Sequence, residues 1–461
     1  MIDLHNIARY HENNRIEAKK AAGGFPHSLW ETYSAFANTI GGLILLGVEE
    51  SRDKELTVTG VPDAAGYQKT LWDTVKDPAL VSVNILSRED VEVHTIDGKD
   101  VLVIRVPRAD RTQRPVYIGD SPFQGTYRRD GEGDYHCSAD EVRAMLRDRE
   151  DTPADLAILE GRPVSDLSAN TIRQFRLRVV MRQPGHPWNS LPDERFLVKA
   201  GALGPDRKRA PLHPTLAGLL LLGRRGTVRE VFPRLRLIYR EEETGFVLNS
   251  VMGDGPENLY QYYTMVTARL TAVSSLLERD RKKRELLASA LREAVRNAVL
   301  HADYFGKGGL SIVRSDTALR VANGGLLRVP PDQAVQGGAS DPRNRTLTRM
   351  FSLLQPETGQ GSGLAGIYRV WDQQGWSAPV LSEAFKAGLT ELSLPLPGGG
   401  ISREDVDRQQ IVEYLTEEVA ADARSVSSAL GLSITETETA LRALVRDGLV
   451  VERPEGYALR A

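Results

Sequence analysis

The sequence has 461 residues in ordinary globular proportions, 41% hydrophobic and 26% charged, with a formal net charge of −3. That length predicts two to four domains with separate cores, and that charge excludes attachment to nucleic acid by overall electrostatics. The single Cys137 excludes an internal disulfide framework and a cysteine-rich zinc site, and fits a reducing compartment. The N-terminus shows no basic-then-apolar leader, and the longest apolar runs, near 41–48 and 216–222, are too short to cross a bilayer. A cytoplasmic protein is expected.

Charge is uneven along the chain. Residues 1–150 hold 19 Lys+Arg against 25 Asp+Glu, a net −6, and residues 401–461 hold 7 against 12, a net −5. The segments between, 151–255 and 256–400, are each +4. Nucleic acid bound at either end must therefore meet a local cluster. One candidate is Arg105, Arg108, Arg111, Arg114, Arg128 and Arg129, six arginines flanking two strand-like runs; the alternative is a solvated sheet edge.

In chain order, residues 29–38 predict a short helix that breaks at Gly41-Gly42 into a buried strand over 43–48. Asn38 and the paired glycines are good turn chemistry. The runs ENNRIEAKKA, AFANTIGGLILLGVEE and VLVIRVPRADRTQRPVYIGDSPFQGTYRRDG resemble the Schlafen-type AlbA domain over about 8–148. The resemblance implies a nucleic-acid-binding module. In its nuclease members it also implies three carboxylates that hold a divalent metal for RNA cleavage. Glu12 and Glu17 match the first two, five residues apart; Glu49 or Glu50 stands where the family has Asp. Such a site would use Mg²⁺ or Mn²⁺ to generate hydroxide, with Lys19 neutralising the phosphate.

Residues 151–255 form a connector, with a helix start at Ser165–Arg173 and a buried helix or strand after His213-Pro214-Thr215. A long helix is expected over 255–277. In the next helix, LREAVRNAVLHADYF, apolar residues at offsets of three and four make one stripe, and Glu293 and Asn297 share a face. A strand ending in Asn323-Gly324-Gly325 follows, then Gly359, Gly361 and Gly363 before another helix, then a strand over 390–395. Glycines at a helix N-terminus suit close approach to phosphates.

That order resembles the GHKL ATPase fold of gyrases, Hsp90-type chaperones and histidine kinases, and most of all its RecG C-terminal-like branch, over about 285–397. The resemblance implies Mg-ATP, with Glu293 activating water, Asn297 holding Mg²⁺ and the three glycines forming a lid. Asn323 stands where the family places an adenine-reading Asp, and Gly325 follows it. Arg343 and Asn344 after Pro342, and His301, are either phosphate-side or structural. No Walker loop is present, so the RecG label implies no helicase, and no phosphoacceptor helix points to a histidine kinase.

After the breaker at 396–402, three short amphipathic helices and a hairpin turning at Pro454-Glu455-Gly456 predict a winged helix. Arg442 and Arg446 are its nucleic-acid candidates; Glu436, Glu438 and Asp447 dilute them, which leaves DNA reading and protein pairing both open. The expected architecture is α+β multidomain: an AlbA/Schlafen-like domain at 1–150, a connector at 151–255, a GHKL-like α/β sandwich at 256–400 and a winged helix-turn-helix at 401–461. The expected function is nucleotide-gated binding of DNA or RNA by a homodimer, as in transcriptional regulators or phage-defence effectors. A metal-dependent endoribonuclease and an ATP-dependent scaffold are the alternatives.

Overall fold

The computed structural model describes residues 7, 10, 12–205, 211–253, 255–354, 363–398, 402–418 and 420–460. The chain divides into two compact units, 1–151 and 152–461. No described helix is long and apolar enough to cross a membrane.

The first unit is built on a four-stranded sheet in the order Ile16–Lys19, Gly42–Leu46, Lys99–Val106, Val91–Ile96. The first pair is parallel and the others antiparallel. Both faces of its central strands are covered, so GLILL and VLVIRV read as continuous apolar runs rather than alternating ones. Ile44, Leu46, Leu102 and Ile104 pack with Leu29, Tyr33 and Phe36 of the Leu29–Asn38 helix and with Leu71 and Val75 of the Ala64–Val75 helix. Leu45, Val101 and Val103 face the other way, onto Val48 and Leu56 of the short hairpin Val48–Glu50/Leu56–Val58. Gly41 ends the first helix with φ +73°, where an added Cβ would lie 2.8 Å from the Val106 carbonyl. A second hairpin, Tyr127–Asp130/Gly133–His136, precedes the Ala139–Arg149 helix, which Ser138 and Glu141 close with a capping box.

The second unit carries a six-stranded sheet in the order Val247–Asn249, Leu237–Glu241, Leu310–Arg314, Ala318–Gly324, Leu389–Pro395, Val380–Ala384. Only the Leu237–Glu241/Leu310–Arg314 pair is parallel. Two of these strands come from the segment expected to be a connector, so the sheet runs across the division drawn at 255. The reason is the parallel register Leu237↔Leu310, a pairing between distant segments that no local pattern announces. The helices Leu259–Leu277 and Arg281–His301 pack together, and Arg281–His301 also packs on the sheet and on Leu364–Gln374. The stretch after Pro214 is the Leu216–Leu222 helix, every residue buried, capped by the Thr215 hydroxyl.

The C-terminal segment comprises the helices Arg403–Glu417, Ala423–Leu430 and Ile434–Arg446 and the hairpin Val450–Arg453/Gly456–Leu459. It shares one hydrophobic core with the rest of its unit, continuous from Leu167 to Val450.

Candidate functional site

Asp280 caps the Arg281–His301 helix by accepting from Lys283 N at 3.0 Å. Leu287, Leu291, Ala294, Val295 and Ala298 then form its buried stripe. Fixing that stripe against the core turns Asn297 and His301, one turn apart, toward a cavity of about 460 Å³. The opposite wall is sheet. Val321 and Asn323 alternate onto one face of their strand, and the antiparallel register sets them directly opposite Leu392 and Thr390. Leu381 extends this wall, the segment from Leu326 to Arg343, with its short Pro331–Gln336 helix, closes one side, and Gly363, Leu364 and Ala365 bring in the start of the Leu364–Gln374 helix.

The cavity has an apolar part with a polar edge and a cationic part. Asn323 Nδ2 donates to the Gly324 carbonyl at 3.1 Å, and Thr390 Oγ1 donates to the Gly325 carbonyl at 2.9 Å. Those bonds leave the Asn323 carbonyl oxygen as the acceptor of the sheet wall. Arg296, Arg328, Arg343 and His301 line the remainder, with Asp341 as the one lining carboxylate among the described residues. Arg328 pairs with Asp341 at 3.2 Å. Burial, then the guanidiniums of Arg343 and Arg328, push the His301 imidazole down to about 4, so it is neutral at ordinary pH. Asn297 Nδ2 is buried with no hydrogen-bond partner among the described residues. A buried amide left this way is a ready contact for a ligand.

The structure brings together Asn297, Asn323, Gly363, Arg343 and His301 and leaves others outside. Glu293 is not among the lining residues; its carboxylate accepts from Arg296 Nη2 at 2.8 Å. Gly325, with φ +94°, packs under Arg343, whose guanidinium donates to the carbonyls of His301 and of Leu326. Asn344 is turned away, capping the helix end through the carbonyls of Leu300 at 3.1 Å and Ala302 at 2.8 Å. Gly359 and Gly361 lie outside the described residues. Sequence reasoning missed Arg296, Arg328 and Thr390. Arg296 had a signal, three residues from Glu293 on one helix; Arg328, in a loop, had none.

In the first unit three of the four candidate carboxylates, Glu12, Glu17 and Glu50, lie near one another. Glu12 and Glu50 are neighbours, with Glu12 N donating to Glu50 Oε1 at 3.0 Å and Ala18 N donating to Glu12 Oε1 at 2.9 Å. Burial, with Glu17 and Glu50 nearby, raises the Glu12 carboxyl. Glu17 is taken by Lys19 at 2.8 Å and Arg129 at 2.9 Å. Glu49, next to Glu50 on a strand and so on its other face, pairs with Lys20 at 2.9 Å. Among the described residues no group of three or more His, Cys, Asp or Glu could hold a metal ion. Of the candidate metal ligands, Glu12, Glu17 and Glu50 therefore lie close together, with Lys19 and Arg129 on Glu17, while Glu49 points to the other face.

The six arginines between 105 and 129 differ in burial and partners. Arg129 is buried, holding Asp134 at 3.0 Å, Glu17 and the Asn13 carbonyl, and stacking on Phe36. Arg111 ties to the Asp148 carbonyl and to Asp151, Arg128 to Glu141 and Asp130, and Arg114 is buried. Arg108 is partly buried, and Arg105 alone of the six is fully exposed. Arg442 and Arg446 are both exposed, on the Ile434–Arg446 helix.

Residues 12–138, within the first unit, match the Schlafen, AlbA_2 family model. Residues 143–238 match a domain of unknown function, DUF8451. Among solved structures, the N-terminal domain of a RecG-related protein from Nitrosomonas europaea is 30% identical, covering 30% of this chain and 94% of that one, at a TM-score of 0.24. The DIP2311 protein from Corynebacterium diphtheriae is 17% identical, covering 97% of this chain and 80% of that one, at a TM-score of 0.40. No curated protein matches the chain.

Proposed function

We propose that this is a nucleotide-gated nucleic-acid-binding protein, in which Mg-ATP held in the second unit controls attachment of DNA or RNA by a homodimer. The observation that carries the nucleotide part is the cavity, where Asn297, whose buried Nδ2 has no hydrogen-bond partner among the described residues, faces a wall bearing Asn323 and Thr390. An apolar slot edged by one amide acceptor suits a purine with an exocyclic amino group. Arg328, Arg343 and the helix start at Gly363 suit its phosphates. Asn297 is the residue that would hold the magnesium ion through its amide oxygen, and a single protein oxygen suits an ion that keeps waters and phosphate oxygens as its other ligands. The ion would supply neutralisation of phosphate charge. Glu293, held by Arg296, has no direct line to the cavity, so the reading is binding rather than turnover.

The nucleic-acid part rests on the Schlafen AlbA_2 domain and the RecG-related likeness. Calorimetry with Mg-ATP tests the first part: micromolar binding to wild type and none to Asn297→Ala is expected, whereas equal binding by both removes Asn297 from the site. Fluorescence anisotropy with labelled duplex DNA and single-stranded RNA tests the second. Affinity that ignores a non-hydrolysable ATP analogue would end the gating. Light scattering giving only a monomer, with and without nucleotide, would end the dimer.

A further inference from the structure

The helices Leu259–Leu277 and Arg281–His301 are joined by a short turn, and five of the six residues from Arg279 to Arg284 are cationic. Local physics argues against this choice. The N-terminal end of a 21-residue helix already carries a positive dipole end, and the stabilising residues there are Asp and Glu. The nearby carboxylates are engaged locally. Asp280 accepts from Lys283 N, Glu278 accepts from Asp280 N at 2.9 Å, and Glu285 pairs with Arg281. The cations reach outward: Arg279, Lys282 and Lys283 are exposed, and the Arg281 side chain is 82% exposed.

One more cation, Arg292, lies farther along the helix and is half-buried. Arg292 is eleven residues after Arg281, three turns on and so on the same face. It donates to Thr271 Oγ1 at 3.3 Å, and burial, together with the charges of Arg182 and Arg178, lowers its pKa. Like charges gathered at a cost to helix and solvation alike fit a polyanion that repays both. A membrane surface fits less well, because Leu286 is the one large apolar side chain exposed on 279–301 among the described residues.

We propose that the basic turn 279–284 is the docking surface for the phosphate backbone of a nucleic acid. This rests on the nucleic-acid reading above and locates it. The helix that begins at this turn ends at Asn297 and His301, about 30 Å of rigid rod away at 1.5 Å per residue, so one element joins the anion surface to the cavity.

The test is anisotropy of a fluorescein-labelled 20-base-pair DNA and the matching single-stranded RNA across a salt series, comparing wild type with Lys282→Gln/Lys283→Gln/Arg284→Gln. The variant removes charge from an unfavourable helix end, so its melting temperature should hold or rise; Lys282→Arg/Lys283→Arg controls for shape. Expected is at least tenfold weaker binding and a salt slope smaller by roughly 2 to 3, with the Lys-to-Arg variant unchanged. Binding retained with an unaltered slope overturns this surface and leaves the nucleic-acid reading standing. No binding of either nucleic acid by wild type overturns both. Loss confined to vesicles of 30% phosphatidylserine would assign the turn to lipid instead.

Discussion

Arg269 places its guanidinium against both carboxylate oxygens of Glu241, at 2.9 and 3.0 Å, with both side chains fully buried. The contact joins the Leu259–Leu277 helix to the Leu237–Glu241 strand. Arg314 adds a second cation to Glu241 at 3.1 Å, and Asp407 and Gln410 of the Arg403–Glu417 helix complete the surroundings of Arg269. A charge this deep is tolerated only when paired and hydrogen-bonded, and the same group anchors the C-terminal segment to the sheet.

Arg269→Met is therefore expected to cost about 3–5 kcal/mol, since it leaves Asp407 buried without its main cation. Urea unfolding of the whole chain reads this as a lower midpoint, and an unmoved midpoint contradicts it. The pair also sets an acid limit. Burial alone would raise the Glu241 carboxyl, but the hydrogen bonds and charge of Arg269, with Arg314, hold it down to about 2 from 4.5. Its contribution is thus complete above 4.5 and is lost as pH falls toward 2. Asp407, also buried and raised by that burial, works against that trend.

His301 governs a milder window. Its folded pKa of about 4 lies below the ordinary 6.5, so between those values the unfolded chain takes a proton that the folded chain refuses. Stability should fall as pH drops from 6.5 toward 4, and His301→Gln should flatten that slope. Urea midpoints at pH 7 and 4.5 for both proteins measure it; parallel losses would show that another group titrates.

Gly325→Ala should disturb the cavity from its rim. The residue has φ +94°, and a Cβ there would come 2.6 Å from Arg343 Nη1. A cost of about 1–3 kcal/mol and weaker nucleotide binding are expected. Adding Arg343→Ala relieves the clash but not the backbone strain, so calorimetry on the double variant should show partial recovery at most.

Asn38→Ala tests what the AFANTIGG run is for. The Asn38 amide donates to the carbonyls of Val116 at 2.7 Å and Tyr127 at 3.0 Å and accepts from Val116 N at 2.8 Å, all buried. Losing it takes the named partner from the Val116 N–H and the Tyr127 carbonyl, while the Val116 carbonyl keeps the Ser34 hydroxyl at 2.7 Å, so about 2 kcal/mol or more is expected. A variant of wild-type stability that fails to bind nucleic acid would instead make Asn38 a contact residue.

Arg129→Met should likewise unfold the first unit rather than change nucleic-acid affinity, because it leaves Glu17 and Asp134 facing each other without their shared cation. About 3–5 kcal/mol of destabilisation is expected by thermal melting. An unchanged melt with a reduced salt slope would return Arg129 to the surface role.

Local pattern made much of this readable. The stripe Leu287, Leu291, Ala294, Val295, Ala298 dictates a helix and hence that Asn297 and His301 share a side, and Gly41-Gly42 dictates where the first helix stops. The Glu293 geometry escaped because an i, i+3 partner, Arg296, competes for its carboxylate, and spacing alone does not rank partners. The arginines between 105 and 129 escaped for a related reason: a count of charges does not distinguish a guanidinium in water from one buried under Phe36.

By itself, then, the sequence determined what depends on neighbours within a turn or a strand: the helices and their caps, the largely apolar central strands, the AlbA-type order of the first unit and the polar pair on the long helix. Tertiary structure decided what depends on segments far apart. The parallel register Leu237↔Leu310 carried the sheet across 255, the antiparallel register Asn323↔Thr390 made the cavity wall, and burial determined which carboxylates and guanidiniums face one another. The physical reason is range. Hydrogen-bonded turns and apolar periodicity act between adjacent residues, whereas charge pairing and strand registry are settled only when the chain has closed its long loops.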